Sequence, residues 1–185
     1  MSDAADTTLP DVGRILVTEE QIQQRVAELG AVIAKEHAGQ APLLVCVLKG
    51  AFVFMSDLAR AIDLPVEFDF MAVSSYGSAT KSSGVVRIVK DLDLELSGRH
   101  VILVEDIVDS GLTLSYLRKN LMARNPASLE VCSLLVRENS DVEALDLRHV
   151  GFRIPDEFVI GYGLDVAEKY RNLPYIAVYT GAEEH

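Results

Sequence analysis

VILVEDIVDSGLTL, from Val101 to Leu114, is the stretch on which the fold turns. Val101 to Val104 are apolar and run straight into Glu105 and Asp106; Asp109 follows, and Ser110, Gly111, Leu112 and Thr113 lead into a helical pattern. A short, uninterrupted apolar run bounded by turn residues reads as a strand covered on both faces. Packing alone gives no reason for the acids at its end, since neighbouring carboxylates repel and lose hydration. A helix start beside them changes the picture. Helix N-termini present unpaired N–H groups and a partial positive charge. Gly111 lets the backbone approach a ligand closely, and Ser110 and Thr113 add hydroxyls. The stretch therefore reads as a compact phosphate cradle next to vicinal acids. It is not a Walker loop, because the chain has no GxxxxGK[ST]. The plain alternative is a helix cap with spare acids on a solvated turn. A calcium loop is disfavoured by the spacing of Asp106 and Asp109, and DLDLE at 91–95 lacks the glycine such a loop needs.

Outward from this run, strands and helices alternate. Thr18-Glu-Glu-Gln21 fits a capping box, and Ile22, Val26, Leu29 and Ile33 follow at helical spacing, which predicts a helix over 19–38 ended by Gly39. Strands are expected at 42–48, 65–73, 85–91, 100–106 and 129–136. Helices are expected at 51–62 and 113–124, and a Ser/Gly-rich loop at 74–84. Three short strand candidates, VGFRI, EFVIGYG and YIAVY, lie near the C-terminus. The alternation and the doubly apolar strands imply an α/β fold with a parallel sheet. Such sheets bind ligands at the C-terminal ends of their strands.

Composition narrows the function classes. At 185 residues the chain suits one domain, expected over 15–185 behind a polar, acidic tail at 1–14 with no signal-peptide character. A net charge of −11 argues against nucleic acid and anionic membrane surfaces as partners. It also means that an anionic substrate would need a divalent cation or well-placed basic groups. Cys46 and Cys132 sit in apolar runs and read as buried thiols in a cytoplasmic protein. The histidines, His37, His100, His149 and His185, are scattered and suggest no transition-metal site.

The Glu105–Thr113 arrangement resembles the signature of the type I phosphoribosyltransferases, and most closely their hypoxanthine/guanine branch of bacterial type. VLKG at 47–50, SSYG at 74–77 and GFRIPDEFVIGYGLDVAEKYRNLPYI at 151–176 look like the same family, in its order and at its spacing. The resemblance implies a Rossmann-like open parallel sheet flanked by helices, with a small hood formed by the terminal segments and a mobile lid near 74–84. It implies transfer of a phosphoribosyl group from 5-phosphoribosyl 1-pyrophosphate to a 6-oxopurine, with Mg2+, in a homodimer or homotetramer.

The resemblance also suggests a role for each residue. Lys49 and Gly50 would contact pyrophosphate across a Leu48–Lys49 peptide that is often cis. Ser75 and Tyr76 would belong to the lid that keeps water from the activated sugar. Glu105 and Asp106 would face the ribose hydroxyls and the magnesium shell, and Asp109 would shuttle a proton at the purine N7. Ser110, Gly111, Leu112 and Thr113 would hold the 5′-phosphate. Phe158 would stack on the base, with Val159 offering backbone groups to its edge. Asp165 would meet a second magnesium or the base edge, and Arg171 the pyrophosphate. Arg137 stands where the family usually has a Lys that donates to the 6-oxo group, and Glu138 where a Pro is common. Arginine still donates, but it is longer and planar, which keeps xanthine open as a substrate. On its own residues Arg137 could instead turn outward to Glu138, and Phe158 could be core. A nucleotide-sensing or RNA-binding regulator of the same fold is the alternative from another class, and the chain's acidity speaks against it.

Overall fold

The computed structural model describes residues 9–75, 86–140 and 145–182. The elements run β1 (Val12–Val17), α1 (Glu19–Glu36), β2 (Leu43–Leu48), α2 (Phe52–Ala61), β3 (Glu67–Ser75), β4 (Val86–Lys90), β5 (His100–Val108), α3 (Leu112–Met122), β6 (Ser128–Arg137), β7 (His149–Ile154), β8 (Val159–Ile160) and β9 (Ile176–Tyr179).

α1 starts where the capping box places it. The Gln21 N–H donates to Thr18 Oγ1 at 3.2 Å and the Thr18 N–H to Gln21 Oε1 at 2.9 Å. Its buried stripe is Ile22, Val26, Leu29 and Ile33, with Gly30 between them. The helix stops two residues before the expected 38, because His37 leaves helical geometry as the C-cap and Gly39 turns the chain at φ +80°.

The main sheet has the order β4-β3-β2-β5-β6-β7. β3, β2, β5, β6 and β7 are mutually parallel, and β4 pairs antiparallel with β3 at the edge. Strand periodicity divides the core between the two faces. Leu44, Cys46, Ile102, Val104, Cys132 and Leu134 pack with α1 and α2. Leu43, Val45, Val101, Leu103 and Val131 pack with Leu114, Leu117 and Leu121 of α3. Fully burying each of these larger side chains stabilises the fold by about 1.5–3 kcal/mol. Cys46 and Cys132 are free buried thiols. Burial pushes both up to about 12, with the charges of Glu105 and Asp106 adding to the effect at Cys46. Buried Asp69 accepts from the backbone N–H groups of Asp93 and Leu94, so DLDLE forms a turn capped by Asp69.

A second, antiparallel sheet of order β1-β9-β8 joins the two ends of the chain. This is the hood. Its first strand begins at Val12, within the stretch expected as a tail, and residues 1–8 lie outside the described residues. The pattern of VGRILV hides that strand. Only Val17 is fully buried, and the pairing is irregular between Val12, Ile15 and Val17. The expected loop over 74–84 begins later, since Ser74 and Ser75 pair with Arg87 and Val86. Tyr76 and the rest of that loop lie outside the described residues. The histidines also depart from expectation. His37 and His149 both approach Glu130, and the His37 ring meets His100 edge-on at 6.0 Å.

Gly30 carries a prediction. A Cβ there would lie 2.4 Å from the Ala61 carbonyl oxygen, at the crossing of α1 and α2. Alanine normally favours a helix over glycine by about 1 kcal/mol. Here the contact is with backbone, and overpacking of this kind costs about 1–3 kcal/mol. Gly30→Ala is therefore expected to lower the stability measured by urea unfolding, against the helix-propensity order.

Candidate active site

The C-terminal ends of β2, β5 and β6 meet the loop after β8 at one edge of the sheet. Between β2, β5 and the start of α3 lies a cleft of about 260 Å³, lined by Leu48, Gly50, Glu105, Asp106, Asp109, Ser110, Gly111 and Thr113 among others.

β5 is longer than expected. It pairs with β6 as far as Val108, so Glu105 and Asp106 lie within the strand instead of closing it. Consecutive strand residues face opposite sides. Glu105 is buried, and its carboxyl is held well above the usual carboxylate range, first by burial and then by the charge of Asp106. Asp106 turns toward β2. A Cβ on residue 50 would come within 1.7 Å of its Oδ2, so Gly50 is what leaves room for the carboxylate. Burial raises the Asp106 carboxyl. The N–H groups of Ile107 and Asp106 itself and the charge of Arg171 pull the other way, Asp165 adds to the rise, and the net direction is upward. The Leu48–Lys49 peptide is cis.

Gly111 is the N-cap of α3 at φ +75°, with no side-chain cap and no acid in the first turn. Ser110 Oγ is 3.5 Å from the Leu112 N–H, and Leu112 and Thr113 are exposed. The positive end of this helix dipole is thus left open to solvent beside the cleft.

Asp109 is exposed, and its backbone carbonyl accepts from the Ser140 hydroxyl. Its carboxylate lies 3.3 Å from Arg137 Nε. Arg137 points inward, with 12% of its side chain exposed. It donates through Nη1 to the Glu157 carbonyl at 2.7 Å and lies 3.4 Å from Asp156. It does not turn outward to Glu138. Its Nε is buried and faces the Asp109 carboxylate as an ion pair without forming a hydrogen bond. Phe158 is 49% exposed and meets Tyr179 edge-on at 5.9 Å, while Val159 is buried in β8. Phe158 is therefore not core.

The loop after β8 brings the remaining charges. Arg171 donates to the Gly163 carbonyl at 2.7 Å and pairs with Asp165 at 3.1 Å and Glu168 at 3.2 Å. The other carboxylate oxygen of Glu168 holds Lys49 at 2.8 Å. Glu168 thus joins the two cations that the sequence assigned to pyrophosphate, and sequence reasoning missed it. Its spacing from Asp165 and Arg171 is a faint signal. The backbone obscures it, because Ala167, Glu168 and Tyr170 all have positive φ and obey no helical or strand period. Glu105, Asp106 and Asp165 do not converge as a metal cage. Among the described residues the one trio of such ligand atoms within 4.8 Å is Glu36, Glu130 and His149, elsewhere in the molecule.

The phosphoribosyl transferase domain family matches residues 15–167, and the chain belongs to that family. It is 57% identical to the hypoxanthine-guanine phosphoribosyltransferase of Mycobacterium avium over 172 residues, covering 90% of this chain and 85% of that protein. It is 50% identical to the Bacillus subtilis protein of the same name, with 91% and 93% covered. The solved hypoxanthine phosphoribosyltransferase of Staphylococcus aureus superposes with a TM-score of 0.87 at 44% identity, covering 92% of each chain.

Two predictions follow from the buried acids. Glu105 takes up its proton at a higher pH when folded than when unfolded, so stability falls as pH rises through that interval. Glu105→Gln should therefore leave stability unchanged at acid pH, where the carboxyl is neutral in both states. It should raise stability at neutral and alkaline pH, where the ionised side chain is costly; urea unfolding across pH reads the difference. Gly50→Ala should displace the Asp106 carboxylate and reduce turnover by about 100-fold or more, while the circular dichroism of the fold is retained.

Proposed function

We propose that this protein transfers the 5-phosphoribosyl group of 5-phosphoribosyl 1-pyrophosphate to N9 of hypoxanthine or guanine, releasing pyrophosphate, in cytoplasmic purine salvage. The observation that carries this reading is the pair of acids, buried Glu105 and half-buried Asp106, set beside the N-terminus of α3, which has no side-chain cap from its N-cap residue, at the C-terminal sheet edge. The names of the relatives support the same activity.

The chain's residues divide the work. Ser110, Gly111, Leu112 and Thr113 hold the 5′-phosphate at the helix N-terminus. Glu105 and Asp106 accept hydrogen bonds from the ribose hydroxyls. Arg137 donates to the 6-oxo group, which an exocyclic amino group cannot replace as acceptor, so adenine is rejected. Phe158 stacks on the base and Val159 lines its edge. Asp109, oriented by Arg137, holds or releases the proton at N7. Lys49 and Arg171 receive the pyrophosphate. Their partner Glu168 is an exposed carboxylate, and solvent-screened pairs of that kind are weak, so a polyanion displaces it readily. Ser75 and Tyr76 belong to the lid.

The oxygen donors present suit magnesium, which binds through one or two carboxylates and completes its shell with water and substrate oxygens. Asp106 and Asp165, with Glu105 behind them, would hold it, and it would neutralise charge on the leaving pyrophosphate. The protein works as a homodimer or homotetramer. Exposed Phe52 and Phe68 line an apolar hollow with Met55, Ala59 and Phe70, in keeping with an interface on α2. No helix among the described residues is long and apolar enough to cross a membrane.

Nucleotide formation from hypoxanthine, guanine, xanthine and adenine, with 5-phosphoribosyl 1-pyrophosphate and Mg2+, tests the reading. Turnover is expected with hypoxanthine or guanine and not with adenine. Asp109→Asn should lower kcat by about 10²–10⁴-fold, the usual contribution of general acid–base catalysis. Turnover of xanthine ahead of both would reassign the base through Arg137. Nucleotide binding without turnover of any base would indicate a regulator.

A further inference from the structure

The opposite edge of the sheet, where α1 ends and β6 and β7 begin, gathers a separate group. Glu36, Glu130 and His149 offer ligand atoms that all lie within 4.8 Å of one another. His149 Nε2 is 3.2 Å from Glu130 Oε2 and 3.6 Å from Glu36 Oε2. His37 Nε2 reaches the same Glu130 oxygen at 3.2 Å. Both imidazoles are buried, at 3% and 4% exposure, whereas the side chains of Glu130 and Glu36 keep 23% and 30% of their surface open to solvent. The group is thus anchored on the inside and reachable from the outside.

The surrounding groups orient the ligand atoms. Gln40 presents Oε1 to His37 Nδ1 at 2.9 Å. In a neutral ring, Nδ1 then carries the proton and Nε2 faces Glu130 with a lone pair. Either a second proton on the ring or a metal ion between the two meets that carboxylate oxygen at 3.2 Å. His149 Nε2 faces two carboxylates at once, which a ring N–H or a shared metal ion can satisfy. Arg148 holds both oxygens of Glu36, Oε1 from Nη2 at 2.8 Å and Oε2 from Nε at 3.4 Å, and fixes Oε2 3.6 Å from His149 Nε2. Outer partners of this kind orient metal ligands and tune them. Two imidazole nitrogens and two carboxylates form a mixed set that suits zinc in four-coordination, whereas magnesium prefers oxygen alone. Nothing in the purine reaction uses these residues.

We propose that Glu36, His37, Glu130 and His149 bind one divalent ion of the zinc class, and that the ion staples the end of α1 to the start of β6 and β7. His149 and the two glutamates form the preassembled part. His37 enters from α1 as the fourth ligand.

Titration of metal-free protein with Co2+, in an excess of Mg2+ to fill oxygen-only sites, tests this. One equivalent of Co2+ per chain should bind with the intense visible bands of four-coordinate cobalt. Zn2+ at a hundredfold excess over its Kd should raise Tm by about 5 °C. Glu36→Gln, at the exposed side of the group, should weaken Co2+ binding by about tenfold or more with nucleotide formation unchanged. His149→Gln should abolish the bands. If His149→Gln does not fold, Glu36→Gln with an unchanged circular dichroism spectrum decides alone. Only the weak bands of six-coordinate cobalt, or wild-type Co2+ affinity in Glu36→Gln, would overturn the site and leave a cluster that binds protons alone.

Discussion

Asp106 has room for its carboxylate only because residue 50 has no Cβ, and much of the active site depends on that contact. The same crowding continues outward, since a Cβ on Gly163 would come within 2.1 Å of the Gly50 carbonyl oxygen. β5, the turn after β2 and the loop after β8 are thereby stacked at backbone distance. The stack brings Arg171 from the loop close enough to act on Asp106, and lets Glu168 reach Lys49. A side chain at either glycine would push these layers apart and separate charges that have to act on one ligand.

The electrostatics follow from the same compression. A chain of net charge −11 has to receive a polyanion. The α3 N-terminus is open and uncapped, and the two nearby cations, Lys49 and Arg171, are engaged by Glu168 and Asp165. The Lys49–Glu168 pair is exposed and easily exchanged, whereas Arg171 is half-buried against Asp165. Glu105 and Asp106 are different. Burial raises both carboxyls, a cost to stability that packing residues would not incur. Clustering of shifted acids in a cleft is the usual mark of a functional site.

The two edges of the sheet are built on different terms. At the C-terminal edge glycines and carboxylates leave space. At the opposite edge His37, His149, Glu130 and Glu36 fill it with mutually bonded polar groups. The strands between them are apolar on both faces and hold the two groups apart, so each can be altered without the other.

Periodicity and local chemistry were enough for much of this from the sequence alone. The Thr18 capping box, the doubly apolar strands, the Gly111 turn and the Glu105–Asp106 pair are local patterns, and the structure places the elements at nearly those positions. β1 escaped because half of its surface faces solvent and its pairing partner lies at the other end of the chain. Glu168 escaped because its loop follows no period, and the histidine cluster because its members are more than a hundred residues apart along the chain at their widest. Sequence determined the α/β class and the open helix start at Gly111, since both rest on interactions within a few residues. Only the tertiary structure decided that Arg137 turns inward to Asp109, that Gly50 clears space for Asp106, and that Glu168 joins Lys49 to Arg171. Those contacts depend on the close approach of segments distant in the chain, which no local pattern encodes.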